Sequence, residues 1–133
     1  MVSHYLMFDR NCSEALETYV KAFGAQITEM QKYGDVPNLG FPMDDNDKNL
    51  ILHCKLKLDN TEIMCADSTG HSQPGKNMYI SFTTNDVALV KQAWEILKLN
   101  GEIYMELAPA FFAELHGSLQ DKFGINWMFT ATR

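Results

Sequence analysis

Apolar positions recur along this chain with two periods. Over residues 49–58, Leu50, Leu52, Cys54, Leu56 and Leu58 alternate with Ile51, His53, Lys55 and Lys57. Such an alternation predicts a strand with one buried face. Asp59 and Asn60 supply a turn, and residues 61–67 return as the hairpin partner. Upstream, residues 2–8 form a short apolar run of strand composition. Ala15, Leu16, Tyr19, Val20 and Phe23 then fall on one side of a helix predicted over residues 12–23, with Asn11 and Glu14 spaced as a capping box and Gly24 as the stop. Residues 26–33 alternate as a further strand. Residues 34–49, with Pro37, Gly40, Pro42 and an acidic Met-Asp-Asp-Asn-Asp stretch, are too broken for regular structure. That acidic stretch lacks the spaced oxygen ligands and closing glutamate of a calcium loop, so it reads as a solvated loop.

Residues 68–77 are polar and rich in turn formers, and after them the order begins again. Residues 78–83 alternate as a strand, and Asn85 or Asp86 caps a helix with Val87, Val90, Trp94 and Leu97 on one face, ended by Gly101. Ile103, Met105 and Leu107 alternate in the next strand, residues 111–115 make another, and an Asp-Lys-Phe-Gly turn leads into a last strand over residues 125–132. In that strand Trp127 and Met128 point to opposite faces. Each half therefore reads strand, helix, three strands. The repeated order predicts an α+β fold of two βαβββ modules, residues 1–67 and 78–133 joined by a linker at 68–77, forming curved mixed sheets around a cleft within one structural domain.

The 133 residues suffice for a single good core, and the hydrophobic fraction of 46% and charged fraction of 21% are those of an ordinary globular protein. A net charge of −6 with no basic stripe argues against nucleic-acid binding. The chain has no apolar run of membrane-spanning length and no basic segment leading into an apolar one at its start, so no membrane partner and a cytoplasmic location are expected. Three cysteines, Cys12, Cys54 and Cys65, without a C-x-x-C spacing fit a reducing compartment and read as small buried hydrophobes.

Several motifs together resemble the vicinal oxygen chelate superfamily of glyoxalase I, extradiol dioxygenases and fosfomycin-resistance proteins, and in particular its PhnB-like branch. They are Tyr5-Leu6-x-Phe8, Glu14-Ala15-Leu16-x-x-Tyr19, Phe23-Gly24, His53-x-x-Leu56, Glu62-Ile63-Met64-x-x-Asp67, and Gly117-Ser118-x-x-Asp121-x-Phe123-Gly124-x-Asn126-Trp127. The resemblance implies the glyoxalase/dioxygenase-like fold and a homodimer, as do the sheet edges that isolated modules would leave open. Metal-dependent relatives hold a divalent ion through His, Gln or Glu from the first and fourth strands of each module. Those positions match His4, Met64, Met78 or Tyr79, and Met128 here. Only His4 is a good donor for zinc, iron or manganese, and a catalytic metal ordinarily needs about three protein ligands.

Two functions follow as expectations. One is a metal-free cleft that binds a small apolar or aromatic molecule, lined by His4, His53, Met64, Tyr79, Phe111, Phe112, Trp127 and Met128, with Phe111, Phe112 and Trp127 stacking on a planar ligand. Glu114 or His116 would give it polar orientation. The other is a divalent-metal lyase, isomerase or dioxygenase built on His4, with His53, Glu114 or a partner chain completing the site. His53 acts as a general base or anion ligand if its face is the cleft, and as a structural hydrogen-bonding histidine if it packs under a helix or at a subunit contact. His71 and His116 are expected at the surface, and the eight methionines are for the most part core filling. No phosphate loop, nucleophile elbow or dinucleotide-binding glycine pattern is present.

Overall fold

A computed structural model of the chain describes residues 1–38, 40 and 43–133, so Pro42 of the expected loop lies outside the described residues. The elements run β1 (Tyr5–Phe8), α1 (Cys12–Phe23), β2 (Gln26–Lys32), β3 (Ile51–Leu58), β4 (Thr61–Asp67), β5 (Ile80–Thr84), α2 (Val87–Leu97), β6 (Glu102–Ala110), β7 (Ala113–Gln120) and β8 (Asn126–Ala131). Within the expected loop, single turns of 3-10 helix form at Tyr33–Asp35 and Asp45–Asp47. The chain folds as two compact units. One comprises Met1–Val20 and Gly24–Ser72, and the other Lys21–Phe23 and Gln73–Arg133, so the last turn of α1 groups with the second unit.

Each unit holds a four-stranded mixed sheet, in the order β1-β4-β3-β2 in the first and β5-β8-β7-β6 in the second. The outer strand of each module lies parallel to its fourth (β1 on β4, β5 on β8), and the remaining pairs are antiparallel. This is the α+β, two-module βαβββ architecture that the repeated order implies.

The first unit packs Phe8, Ala15, Leu16, Tyr19, Cys54, Leu56, Ile63 and Cys65 into its core. Gly24 closes α1 in the left-handed region at φ 69°, donating its N–H to the Val20 carbonyl, the terminus that only glycine adopts without strain. The start of α1 departs from the sequence reading. Asn11 makes no side-chain cap hydrogen bond. Instead Asp67, buried at the end of β4, accepts from Cys12 N–H at 2.9 Å through Oδ1 and from Ile51 N–H at 2.9 Å through Oδ2. A buried carboxylate with two backbone donors at a helix N-terminus is well satisfied, so the distant residue displaces the local box.

The second unit has an aromatic core. Trp127 and Phe129 are fully buried, Trp94 of α2 meets Phe129 edge-on at 5.8 Å, and Phe23 lies 4.8 Å from Trp127 and 5.0 Å from Phe82. Asp121 ties the turn before β8, accepting from Phe123 N–H and Ile125 N–H through Oδ1 and from the Trp127 indole N–H at 2.9 Å through Oδ2. Here α2 is capped locally, Asp86 accepting from Leu89 N–H at 3.1 Å.

A second departure concerns residues 111–115. The strand is Ala113–Gln120, and because Ala110 pairs with Ala113, Phe111 and Phe112 form the two-residue tip of the β6–β7 hairpin. Arg133 holds that tip by donating to the carbonyls of Phe111 and Ala110, each at 2.9 Å. Two large aromatics at a tip are an unusual turn composition, which is why the pattern reads as strand.

Candidate functional site

Side-chain alternation divides every strand between a face packed on a helix and a face free of it. In the first sheet Ile63, Cys65 and Asp67 of β4, with Cys54 and Leu56 of β3, occupy the packed face. The other face carries Tyr5 and Met7 of β1, Glu62 and Met64 of β4, His53, Lys55 and Lys57 of β3, and Glu29 of β2. Parallel pairing sets Tyr5 opposite Met64, and Met64 N–H donates to the His4 carbonyl at 3.0 Å. Two of the positions matched to metal ligands, His4 and Met64, are thus neighbours on adjacent backbone segments, although His4 itself is exposed.

His53 lies on this helix-free face, so it does not pack beneath a helix. Its Nδ1 is 3.0 Å from the Tyr5 hydroxyl, and its Nε2 is 3.9 Å from Glu29. Glu29 also faces Lys55 at 3.4 Å, and Lys55 reaches Glu62 at 3.8 Å. The Tyr5 phenol is pushed above its ordinary range, first by burial and then by nearby thiols. The face is therefore a polar strip of phenol, imidazole, carboxylates and ammonium. Tyr5 and His53 are separated by 48 positions, and only strand pairing brings them together.

The helix-free face of the second sheet is different. Leu119, Trp127 and Phe129 turn inward, which leaves Asn126, Met128 and Thr130 of β8 on the opposite face. Register places Ser81 and Ser118 beside Met128, Thr83 and His116 beside Thr130, and Gln120 beside Asn126. His116 is not at the surface before a turn; it is half-buried in mid-strand, with Nδ1 3.0 Å from the Thr130 hydroxyl and its ring 4.9 Å from Phe112. At the other end Tyr79 meets Tyr104 edge-on at 5.9 Å, and the Tyr104 hydroxyl donates to Asn126 Oδ1 at 2.8 Å. Met105, opposite Ser118, is 55% exposed, and Phe112 is 52% exposed.

The expected residues accordingly separate. Tyr79, Phe112 and Met128 share the helix-free face of the second sheet with His116, while His4, His53 and Met64 belong to the first sheet. Phe111, 92% exposed, projects at the hairpin tip. Trp127 is a correction: fully buried in the aromatic core with its indole N–H bound to Asp121, it is closed to a stacking ligand. Its parity with Phe129 already carried that signal, since two large aromatics two apart in a strand seek the same covered face. Glu114 is exposed on β7. The sequence reading missed Tyr5, Tyr104 and Asn126 as members of these faces, because each acquires its role through a partner far away in the chain.

The donor set at the matched positions does not suit a hard or borderline divalent ion, since thioether and phenol are poor donors for zinc, iron or manganese. Among the described residues no group of three or more His, Cys, Asp or Glu side chains is arranged to hold a metal.

The family model described as 3-demethylubiquinone-9 3-methyltransferase matches residues 1–130. The chain belongs to that PhnB-like family. Among curated proteins it is 28% identical to Protein YjdN of Escherichia coli strain K12, over 99% of this chain and 95% of the relative. Among solved structures it is similar to protein PA1353 from Pseudomonas aeruginosa, with a TM-score of 0.84 and 29% identity over 98% of this chain and 96% of that one. The PhnB protein from Bacillus cereus follows with a TM-score of 0.74 and 24% identity, covering 97% of each chain. The fosfomycin-resistance protein FosX from Listeria monocytogenes shares the fold at a TM-score of 0.67 and 12% identity, over 100% of this chain and 93% of that one. The chain is thus a PhnB-like member of the vicinal oxygen chelate superfamily with the glyoxalase fold.

Proposed function

We propose that this protein binds a small apolar or aromatic molecule, without a metal, on the helix-free face of its second sheet. The observation that carries the reading is the line Asn126–Met128–Thr130. It is flanked by Tyr79 and Tyr104 at one end and by Phe112 and His116 at the other, with the thioethers of Met105 and Met128 between. Such a strip spans roughly 14 Å along β8. Aromatic edges suit a planar ring, thioethers adapt to its outline, and His116 and the Ser81, Ser118 and Thr130 hydroxyls supply orienting hydrogen bonds. The alternative, a divalent-metal lyase, isomerase or dioxygenase centred on His4, would require donors that Met64 and Met128 do not provide.

The test uses 2-naphthol, a planar probe with one hydroxyl, titrated into protein labelled at its methionine methyl groups. Saturable shifts at Met105 and Met128, weakened at least tenfold by Phe112→Ala, are expected. Absence of a saturable shift at Met128, or shifts confined to Met7 and Met64, would overturn the assignment to this face.

A further inference from the structure

Beneath α1 the first unit gathers all three of its cysteines. Cys12 opens the helix, and Cys54 and Cys65 are directly opposed across the antiparallel β3–β4 ladder; none of the three is exposed. Cys54 is the middle member, within hydrogen-bonding reach of both Cys12 and Cys65. Met64 N–H points to β1, so Cys65 N–H points to β3 and Cys54–Cys65 is a hydrogen-bonded pair of the ladder. In such a pair the Cα atoms stand about 5.5 Å apart, within the range a disulfide spans.

We infer that Cys54 and Cys65 form an oxidation site, closing a reversible cross-strand disulfide when the protein meets a hydroperoxide. Among the three thiols Cys54 ionises first. Hydrogen bonds from Cys12 and from Cys65 hold its thiolate down, while the same contacts and burial push Cys12 and Cys65 up. The Cys54 thiolate attacks the peroxide oxygen, breaking the O–O bond, to give a sulfenic acid and hydroxide. The Cys65 thiol, losing its proton, then displaces hydroxide from the Cys54 sulfur. In sum, two thiols and one hydrogen peroxide give one disulfide and two waters, with sulfur oxidised and peroxide reduced. Hydrogen peroxide is little larger than the water that local opening admits. The cross-link lies directly under His53 and Met64, the neighbours of Cys54 and Cys65 that project from the other face of the same strands. Oxidation therefore bears on the polar strip of the first sheet.

The test treats the intact protein with hydrogen peroxide and follows mass and peptide linkage. The expected product has lost two hydrogens, links the Cys54 and Cys65 peptides, and reverts with dithiothreitol. Cys12→Ala retains the link. Cys65→Ala stops at a Cys54 sulfenic acid that dimedone traps, and Cys54→Ala slows thiol loss at least tenfold. Three thiols that stay reduced at a dose that oxidises the urea-unfolded chain would overturn the inference, as would a link through Cys12 in the unmutated protein.

Discussion

Under α1 the first sheet packs sulfur, with Cys12, Cys54 and Cys65 among aliphatic side chains, and exposes on its other face a charged strip of Tyr5, His53, Lys55, Glu29 and Glu62. Under α2 the second sheet packs rings, with Trp94, Trp127 and Phe129, and exposes thioethers and aromatics around one imidazole. One order of elements has thus been filled with opposite chemistry on both faces. The strand order and the parallel outer pair are what the two modules hold in common. Neither needs a particular residue on the helix-free face, which leaves that face available for divergence.

The contrast can be broken most severely at the aromatic core. Trp127→Ala removes the largest fully buried side chain together with its bond to Asp121, and a loss of about 4 kcal/mol is expected in urea unfolding. A loss below about 1 kcal/mol would mean that the rings do not hold the second unit. Next come the two helix starts. Asp67→Ala takes the acceptor from two buried backbone N–H groups and should cost about 3 kcal/mol, against about 1 kcal/mol for Asp86→Ala, which removes one bond at an exposed cap. Equal losses would show that the distant cap has no special weight.

A smaller effect is expected on the charged strip. Lys55→Ala should change stability by less than about 0.5 kcal/mol, because Glu29 and Glu62 are exposed, Lys55 is half-buried, and pairs of this kind are screened by solvent. A larger loss would mark the strip as structural. The smallest effect concerns the phenols. Tyr5 in the first unit and Tyr104 in the second are both held above the ordinary value of 10.0, in each case first by burial. A group whose folded-state pKa is raised contributes stability that is present below the unfolded value and lost as pH rises through the folded one. The pair should thus favour the folded state up to about pH 10 and withdraw that support beyond it. In an ultraviolet titration of tyrosinate, Tyr5→Phe and Tyr104→Phe should each remove one late-ionising phenol; removal of an early one instead would contradict the shift.

Much of this fold is legible in the residues. The bounds of α1 and β4 follow from periodicity and from Gly24, and the turn at Asp59 and Asn60 from its composition, because each signal lies within its own segment. What escaped is the chemistry that pairing creates. Asp67 shares a parity with Ile63 and Cys65, which places a carboxylate on a buried face, but the backbone donors it serves lie 16 and 55 positions away. The tip at Phe111 and Phe112 escaped because aromatic residues in a two-residue turn imitate a strand. Met64, Tyr79 and Met128 fall on the helix-free faces, and His116, weighed as an orienting group, was expected at the surface before a turn, since its place in mid-strand depends on where β7 begins.

The bond from Asp67 to Cys12 also sets an order of events in time. On the ribosome the helix residues are made first, and the carboxylate that accepts from the first N–H of α1 follows 55 positions later. Until β4 has been synthesised, the first N–H of α1 lacks its acceptor and the helix lacks the Ile63 and Cys65 part of its core, so it is held less firmly than in the finished protein. The first module therefore matures from its end backwards: the last strand to appear completes the first helix, and translation halted before Asp67 would release a chain whose leading helix is unfinished.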